Sequence, residues 1–350
     1  DDNYKRLELL EKAAMLDPES AYIHSRLGLI HALIYFWGSD RTEARLVKAK
    51  TALDKSMELD PLLAEVHQDL GYYHYVLADY EKALQEYALA DRLEPNNSEI
   101  FFMQALVYRR QGKFQESYDL MEKSIDLDPK NYLYPSQLVG TSTLLGRSEK
   151  FDHYFTIATE LGMDISTGLL LKLTENFGRN GDLNEYKKIV DEANKVDHDT
   201  EFHGNIASYY VITGNYDIAL KHLERRKSED AVYQTGYVSD LYWKAIIYKT
   251  KGNGEKSKQL FEDALDDVND KLEELPDDAR MLLSKGKILA YLSKKEEAVR
   301  LGEKAISLKS IETDKLQGGD YNYHLAKIYV LVGEYDLAIK ELRKVYNVMP

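Results

Sequence analysis

The chain has no cysteine among its 350 residues, which excludes disulfide bonds, thiolate metal sites and cysteine nucleophiles. A cysteine-free chain is compatible with both the cytoplasm and the periplasm, so the compartment stays open. Long apolar runs are also absent. The longest, "LGLIHALIYFW" at 27–37, is too short to span a bilayer and is typical of a buried helix. We therefore expect no membrane span in this chain.

Basic residues are scarce relative to acidic ones. Lysine and arginine total 46 and aspartate and glutamate total 60, which gives a formal net charge of −14. Such a balance argues against general affinity for nucleic-acid phosphates. The compact basic run "ERRKSED" at 224–230 is flanked by acids and indicates a solvated turn. We predict no direct binding of nucleic acid.

Motifs for catalysis and cofactor binding are missing. "KTKGNGEKSK" at 249–258 lacks the spacing G-x-x-x-x-G-K-[ST] of a phosphate-binding loop, and we interpret it as a turn between helices. His24 and His31, and likewise His67 and His74, stand seven residues apart, whereas chelation along a helix favours a spacing of four. We expect packing roles for these histidines. The sequence predicts no catalytic residues, no metal site and no cofactor.

Prolines are few, but three of them are regularly placed. Pro61, Pro95 and Pro129 are 34 residues apart and end the phrases "MELDP", "DRLEP" and "IDLDP". The same shift aligns Tyr80 with Phe114. Within each period, apolar residues recur at helical spacing in two runs separated by a short turn, which predicts two antiparallel helices, A and B. Because one such pair cannot bury its apolar face alone, successive pairs must stack.

The period of 34, the small residues at positions 8, 20 and 27, the aromatic residue at 17 and the proline at 32 resemble tetratricopeptide (TPR) repeats. The resemblance implies an all-α, right-handed superhelical solenoid of about nine helix-turn-helix units. It covers nearly the whole chain, as a single solenoid over 1–350. We divide it into a partial repeat at 1–18, a long repeat at 21–61, regular repeats at 64–163, degenerate repeats at 164–226 and C-terminal repeats at 238–350.

A narrower resemblance covers residues 10–75, from "LEKAAMLDP" to "AEVHQDLGYYHY". This stretch looks like the TPR tails of bacterial signalling proteins. Those tails follow a cyclase, kinase or winged-helix regulator domain, often through a TolB-like segment. The chain starts in the middle of a repeat and ends at a proline, so we expect it to be a piece of a longer protein. The resemblance implies a regulatory or sensor module of a bacterial protein.

In the TPR family, positions 2, 5, 9 and 12 of helix A line a concave groove. We carry these positions over and predict the following partner-binding residues: Tyr22, Leu29, Glu65, Gln68, Tyr72, Tyr75, Glu99, Phe102, Leu106 and Arg109. The lysine and asparagine set of the family's chaperone clamp is absent. We call the ten residues the predicted strip. The later units place a less coherent set on the same positions: Tyr242, Ile246, Lys249, Tyr323 and Lys327.

The predicted strip is aromatic and aliphatic, with Glu65, Glu99 and Arg109 at its edges. It suits a protein or peptide ligand that is basic and has apolar anchors. Tyr80 and Tyr87 are assigned to the core between helices A and B, whereas Tyr72 and Tyr75 are expected to be free of any role in the fold.

The preferred interpretation is a non-enzymatic scaffold that binds a protein or peptide. One alternative is the substrate-recognition arm of an enzyme whose catalytic domain lies outside this chain. Another is a small-molecule sensor that uses the aromatic strip. The strip can also pack against a second copy of the chain, which would make a homo-oligomer.

Overall fold

The computed structural model of the protein describes residues 2–37, 40–179, 181–195, 202–225, 230–232 and 236–348. Within these residues it contains helices α1 to α19 and one two-stranded antiparallel hairpin. The chain forms two compact units, Asp1–Tyr134 and Pro135–Pro350. We call them the first and the second unit. The segment boundaries predicted from the sequence stay predictions.

A single helix, α1 (Asp2–Leu16), precedes a regular alternation of A and B helices. The A helices are α2 (Ala21–Trp37), α4 (Ala64–Val76), α6 (Ser98–Arg110), α8 (Leu133–Leu144), α10 (Ile165–Arg179), α12 (Phe202–Ile212), α14 (Asp240–Thr250), α16 (Ala279–Tyr291) and α18 (Lys315–Leu331). The B helices are α3 (Glu43–Leu59), α5 (Tyr80–Leu93), α7 (Phe114–Leu127), α9 (Ser148–Glu160), α11 (Leu183–Ala193), α13 (Tyr216–Glu224), α15 (Gly254–Glu274), α17 (Lys295–Leu308) and α19 (Tyr335–Val348). The fold is an all-α helical solenoid, which confirms the predicted class.

Each B helix turns one apolar face toward its A helix. In α5 the buried residues are Tyr80, Ala83, Tyr87 and Ala90, at the spacing of one helical face. Burying a large apolar side chain contributes roughly 1.5–3 kcal/mol each. The prediction that Tyr80 and Tyr87 belong to the core is confirmed.

The small residue at position 8 sets the separation of the two helices. A Cβ atom built on Gly71 would lie 2.5 Å from Cε1 of the Tyr87 ring. One built on Gly28 would lie 2.4 Å from Cγ of Leu53. Both distances are far shorter than a van der Waals contact. The side chain of the B helix can lie this close to the A helix only because each of these positions is a glycine, which has no Cβ.

The turns from A to B share one backbone conformation. Ala78, Gly112 and Gly146, which are 34 residues apart, all have positive φ, of 59°, 76° and 64°. This left-handed region is readily accessible to glycine and strained for alanine. Gly252 of "KTKGNGEKSK" has φ 80° and lies between α14 and α15. This agrees with the interpretation of that stretch as a turn between helices.

The apolar run at 27–37 lies in α2, where Ile30, Ala32 and Ile34 are almost completely buried. Its apolar character is therefore explained by packing within the first unit. In the part of the chain that the structure describes, no helix combines the length and the apolarity that crossing a bilayer requires.

The hairpin is a feature that the sequence analysis did not predict. Strands β1 (Asp230–Val232) and β2 (Tyr237–Ser239) pair antiparallel, with Ala231 opposite Val238. The Tyr237 ring is fully buried, and its hydroxyl donates a hydrogen bond to the Asp267 carboxylate. Ser239 Oγ accepts from the backbone N–H of Tyr242, so β2 leads directly into α14. Strands this short carry no periodic signal that could separate them from a loop.

Candidate functional site

The structure buries four residues of the predicted strip. Gln68 and Tyr72 are 5% exposed, Tyr75 is 6% exposed and Phe102 is 3% exposed. Phe102 packs against the ring of Tyr134, with 4.9 Å between the ring centroids. The expectation that Tyr72 and Tyr75 are free of a role in the fold is wrong, because both belong to the core of the first unit.

Contacts between successive A helices account for this burial. The Phe36 ring of α2 lies 6.0 Å from Tyr72 and 5.6 Å from Tyr75 of α4, measured between centroids. From α6, the Arg110 Nε donates a 2.9 Å hydrogen bond to the Tyr75 hydroxyl, and its guanidinium stacks 5.5 Å above that ring. We call this cluster of Phe36, Tyr72, Tyr75 and Arg110 the aromatic seam. Burial in this seam removes Tyr72 and Tyr75 from the surface that a small molecule could contact.

The rest of the predicted strip stays accessible to a partner. Tyr22 is 50% exposed and Glu99 is exposed. Partial exposure is shared by four further members: Leu29, Glu65, Leu106 and Arg109. The accessible part of the predicted strip is thus apolar, with Arg109 and an acidic edge formed by Glu65 and Glu99.

A buried carboxylate lies beside that acidic edge. Asp69 is 1% exposed and accepts a 2.6 Å hydrogen bond from Ser25 Oγ. Arg26 Nη2 lies 3.1 Å from the same carboxylate. Burial raises the pKa of Asp69 to about 7, against the lowering effect of Arg26, and the negative charges of Glu99 and Glu65 raise it further. The sequence analysis missed Asp69, which stands at position 6 of its helix.

Three of the four histidines, His24, His31 and His67, form hydrogen bonds within the fold. His24 Nε2 lies 2.9 Å from the carbonyl oxygen of Pro18, and His67 Nε2 lies 3.0 Å from that of Pro61. Position 4 thus fastens helix A to the preceding proline turn. Burial and the adjacent Arg45 lower the pKa of His31 to about 4, in keeping with the hydrogen bond from Arg45 to its Nδ1. No cluster of three metal-binding side chains occurs among the described residues.

The second unit contains a cavity of about 480 Å³ on its A helices. Three successive A helices, α14, α16 and α18, supply most of its wall, with β2 and α19 at the margins. The lining side chains are Val238, Tyr242, Trp243, Ile246, Lys287, Tyr291, Tyr323, His324, Ala326, Lys327, Val330, Leu331 and Leu342. We call it the cationic cavity, because the lining residues that the structure describes include two lysines and no carboxylate.

Lys287 is the most buried charged group of this wall, at 5% exposure. Its ammonium lies 5.7 Å from the centroid of the Tyr242 ring. Burial, together with the charge of Lys327, lowers the pKa of Lys287 to about 8. Burial and both lysines lower the pKa of His324 to about 2, so its ring is neutral. Within the described residues, His324 Nδ1 is shielded from solvent and lacks a hydrogen-bond partner.

Aromatic rings surround the lysine. Tyr242 stands 6.0 Å from Tyr291 and 6.0 Å from Trp243 between ring centroids. Burial, followed by the proximity of Tyr291, raises the pKa of Tyr242 far above its usual range, so this ring stays neutral. The cavity therefore offers flat apolar faces next to a cation.

The sequence analysis named part of this cavity. Tyr242, Ile246, Tyr323 and Lys327 all line it, whereas Lys249 does not. It missed Lys287, although a signal existed. Lys287 occupies position 9 of its repeat, directly after the small residue at position 8, as Ile246 and Lys327 do in the repeats that contain α14 and α18.

The chain has partial similarity to several solved structures. The chain is 20% identical to pilF of Pseudomonas aeruginosa, over 55% of this chain and 84% of that one, with a TM-score of 0.42. It is 19% identical to MamA of Desulfovibrio magneticus RS-1, over 45% and 85%, with a TM-score of 0.35. It is 14% identical to a tetratricopeptide repeat protein of Parabacteroides merdae, over 90% and 99%, with a TM-score of 0.44. No curated protein matches the chain.

Two segments of the chain match family models whose description is "Tetratricopeptide repeat". One match covers residues 98–131, which hold α6 and α7, and the other covers 319–348, which hold most of α18 and all of α19. Each segment therefore contains one A and B pair with its left-handed turn, at Gly112 and Gly333. The chain thus contains tetratricopeptide repeats, in its first unit and in its second.

Proposed function

We propose that the protein is a non-enzymatic scaffold that binds a basic, apolar-anchored segment of a partner protein on the A helices of its first unit. The observation that carries this proposal is the charge at the accessible edge. The negative charges of Glu65 and Glu99 both act there on the buried carboxyl group of Asp69, and Arg26 is paired with Asp69.

The negative charges of the two glutamates are available to a partner. Within the described residues, neither Glu65 nor Glu99 forms an ion pair, and Arg26 is engaged by Asp69. A lysine or arginine of a partner placed beside the glutamates would form ion pairs with them. The net charge of −14 adds a long-range attraction for a basic segment, which raises the rate of encounter.

Apolar anchors flank the charges. Tyr22 keeps accessible surface at position 2, the position of the two glutamates, and Leu29 and Leu106 keep accessible surface at position 9. A helix that presents apolar residues at i, i+3, i+4 and i+7 with basic residues between them matches this arrangement. Tetratricopeptide repeats support protein interaction, which agrees with a partner of this kind.

We also propose that this binding regulates an attached signalling domain. The support is the resemblance of residues 10–75 to the TPR tails of bacterial signalling proteins. The alternative is the recognition arm of an enzyme. The neighbouring coding sequence tests the choice, since a cyclase, kinase or winged-helix domain there supports regulation and a hydrolase or transferase domain supports the alternative.

Peptide binding tests the scaffold proposal directly. The probe is a fluorescein-labelled amphipathic peptide with leucine anchors and four lysines, and its partner probe carries glutamate in place of each lysine. We expect the basic peptide to raise the fluorescence anisotropy of the mixture and the acidic one to leave it unchanged. The double variant Glu65→Gln/Glu99→Gln should weaken binding by at least about tenfold, the loss that roughly 1.4 kcal/mol of ion pairing produces.

The matched control removes two charges elsewhere. Glu81 and Glu116 are exposed on the B helices α5 and α7, so Glu81→Gln/Glu116→Gln changes the net charge equally. Equal weakening by both double variants would show only non-specific attraction and would contradict the proposed site.

A further inference from the structure

The cationic cavity of the second unit has a charge that the protein itself does not balance. Among the described residues, neither Lys287 nor Lys327 forms an ion pair, and no carboxylate contributes to the environment of Lys287. Elsewhere in the second unit, partly exposed lysines have acids close by, for example Lys271 with Asp267 at 3.2 Å. Lys287 is more buried than Lys271 and has no such neighbour.

A second group in the cavity is also unsatisfied. His324 is neutral, and its Nδ1 is shielded from solvent without a hydrogen-bond partner in the described part of the chain. A buried polar atom without a partner and a buried cation without a counterion both destabilise a fold. One ligand that brings an anion with hydrogen-bonding oxygens would satisfy both groups at once.

We propose that the cationic cavity binds a small organic acid, with the carboxylate against Lys287 and Lys327 and an aromatic or aliphatic body against Tyr242, Trp243 and Tyr291. His324 completes the site by hydrogen bonding to the second carboxylate oxygen. This site is separate from the acidic edge of the first unit and takes a ligand of opposite charge.

The chemistry of the wall selects this class of ligand. A phosphate group is held best by arginine forks or by several backbone N–H groups, and no arginine occurs among the described lining residues. The apolar and aromatic lining would leave a hydrated dianion poorly solvated, whereas it suits the body of an arylalkyl or alkyl acid. The volume of about 480 Å³ lies within the usual range for small-molecule sites, roughly 300–1,000 Å³.

A tryptophan in the wall provides the readout. The chain has two tryptophans, Trp37 and Trp243. Trp37 is 62% exposed at the end of α2 in the first unit, so Trp37→Phe leaves Trp243 as the sole reporter and does not touch the cavity. The probes are 4-phenylbutanoate and its uncharged amide, 4-phenylbutanamide, added to the full chain. Fluorescence titration and calorimetry each give the dissociation constant.

We expect the carboxylate to bind at pH 7 at least about tenfold more tightly than the amide, with a change in Trp243 emission. Lys287→Met should reduce the affinity for the carboxylate to that of the amide and leave the amide unaffected. The control Lys285→Met removes a partly exposed charge two residues away on the same helix and should leave both affinities unchanged.

Raising the pH from 7 to 9 should weaken carboxylate binding, because Lys287 loses its proton over this range. The other groups facing Lys287 are Lys327 and His324 from α18, Tyr242 from α14 and Tyr291 from its own helix. His324 and Tyr242 stay neutral between these pH values. The Lys287→Met variant should therefore show a much smaller pH dependence than the parent protein.

Three results would overturn the proposal: equal affinity for acid and amide, carboxylate binding that survives Lys287→Met, or no carboxylate binding at millimolar concentration. A fourth arm separates a free acid from the end of a polypeptide. If a hexapeptide that ends in a free phenylalanine carboxylate binds more tightly than 4-phenylbutanoate and depends on Lys287, the site belongs to a protein terminus and the small-acid proposal fails. Weaker binding of the peptide supports the small acid.

Discussion

Replacing Lys287 by methionine should stabilise the protein when no ligand is added. The lysine is 5% exposed, its ammonium faces the Tyr242 ring at 5.7 Å, and the charge of Lys327 acts on it unfavourably. Methionine keeps an unbranched side chain of similar length and removes the charge. The packing against Tyr242 is retained while the buried cation is lost.

The magnitude follows from the pKa of the lysine. Burial, with Lys327, lowers it from 10.5 to about 8. One pKa unit corresponds to about 1.4 kcal/mol, so the folded state is less stable by about 3 kcal/mol at pH 7 than it would be with an unperturbed lysine. Below pH 8 both folded and unfolded chains are protonated, and the full penalty applies. Between pH 8 and 10.5 the unfolded chain binds the extra proton, so stability rises with pH and the penalty disappears.

The assay is thermal and urea unfolding of the full chain, parent and Lys287→Met, at pH 7 and at pH 10. For a unit of this size, 1 kcal/mol corresponds to roughly 2–4 °C in melting temperature. We expect the variant to melt several degrees higher at pH 7 and the difference to shrink at pH 10. Lys285→Met, on the same helix but partly exposed, should change stability by less than about 0.5 kcal/mol.

The reasoning would be refuted by a Lys287→Met variant that is no more stable than the parent at pH 7. It would also be refuted by an advantage of equal size at both pH values, since a gain that is independent of protonation comes from packing and not from the removal of a charge.

Two further predictions concern the first unit. Ala78→Gly should stabilise the chain and Gly112→Ala should destabilise it, each by roughly 1 kcal/mol, because both residues have positive φ at equivalent turns. Urea midpoints of the two variants that move in the same direction would contradict this. Asp69→Asn should stabilise the chain at pH 8 and have little effect at pH 3.5. The raised pKa of Asp69 favours folding below pH 4, and that contribution to stability is lost as the pH rises through about 7. Melting curves of the parent and the variant at pH 3.5 and pH 8 measure the effect. The same difference in melting temperature at both pH values would show instead that Arg26 and Ser25 fully satisfy the carboxylate.

The sequence predicted the part of the fold that repeats. Pro61, Pro95 and Pro129 define the period, and the repeated positions of Tyr80 and Tyr87 predict their burial against the A helix. The periodicity of the sequence contains this information because the A and B helices of every pair pack against each other in the same way.

Contacts between pairs are not periodic, and there the sequence analysis failed. Tyr72 and Tyr75 are buried because Phe36 and Arg110, from two other pairs, cover them. No other pair needs this combination, so no repeat in the sequence reveals it. The same holds for the buried charge of Lys287, because no carboxylate of the described residues contributes to its environment.

The polar ties between A helices affect how the first unit opens. Ser25 of α2 bonds to Asp69 of α4, and Tyr75 of α4 bonds to Arg110 of α6. Fraying of one helix pair would therefore expose a buried carboxylate or guanidinium of its neighbour. Adjacent repeats in this unit should consequently exchange their amide hydrogens as one cooperative block, and a ligand held at the acidic edge would slow exchange in all three A helices together.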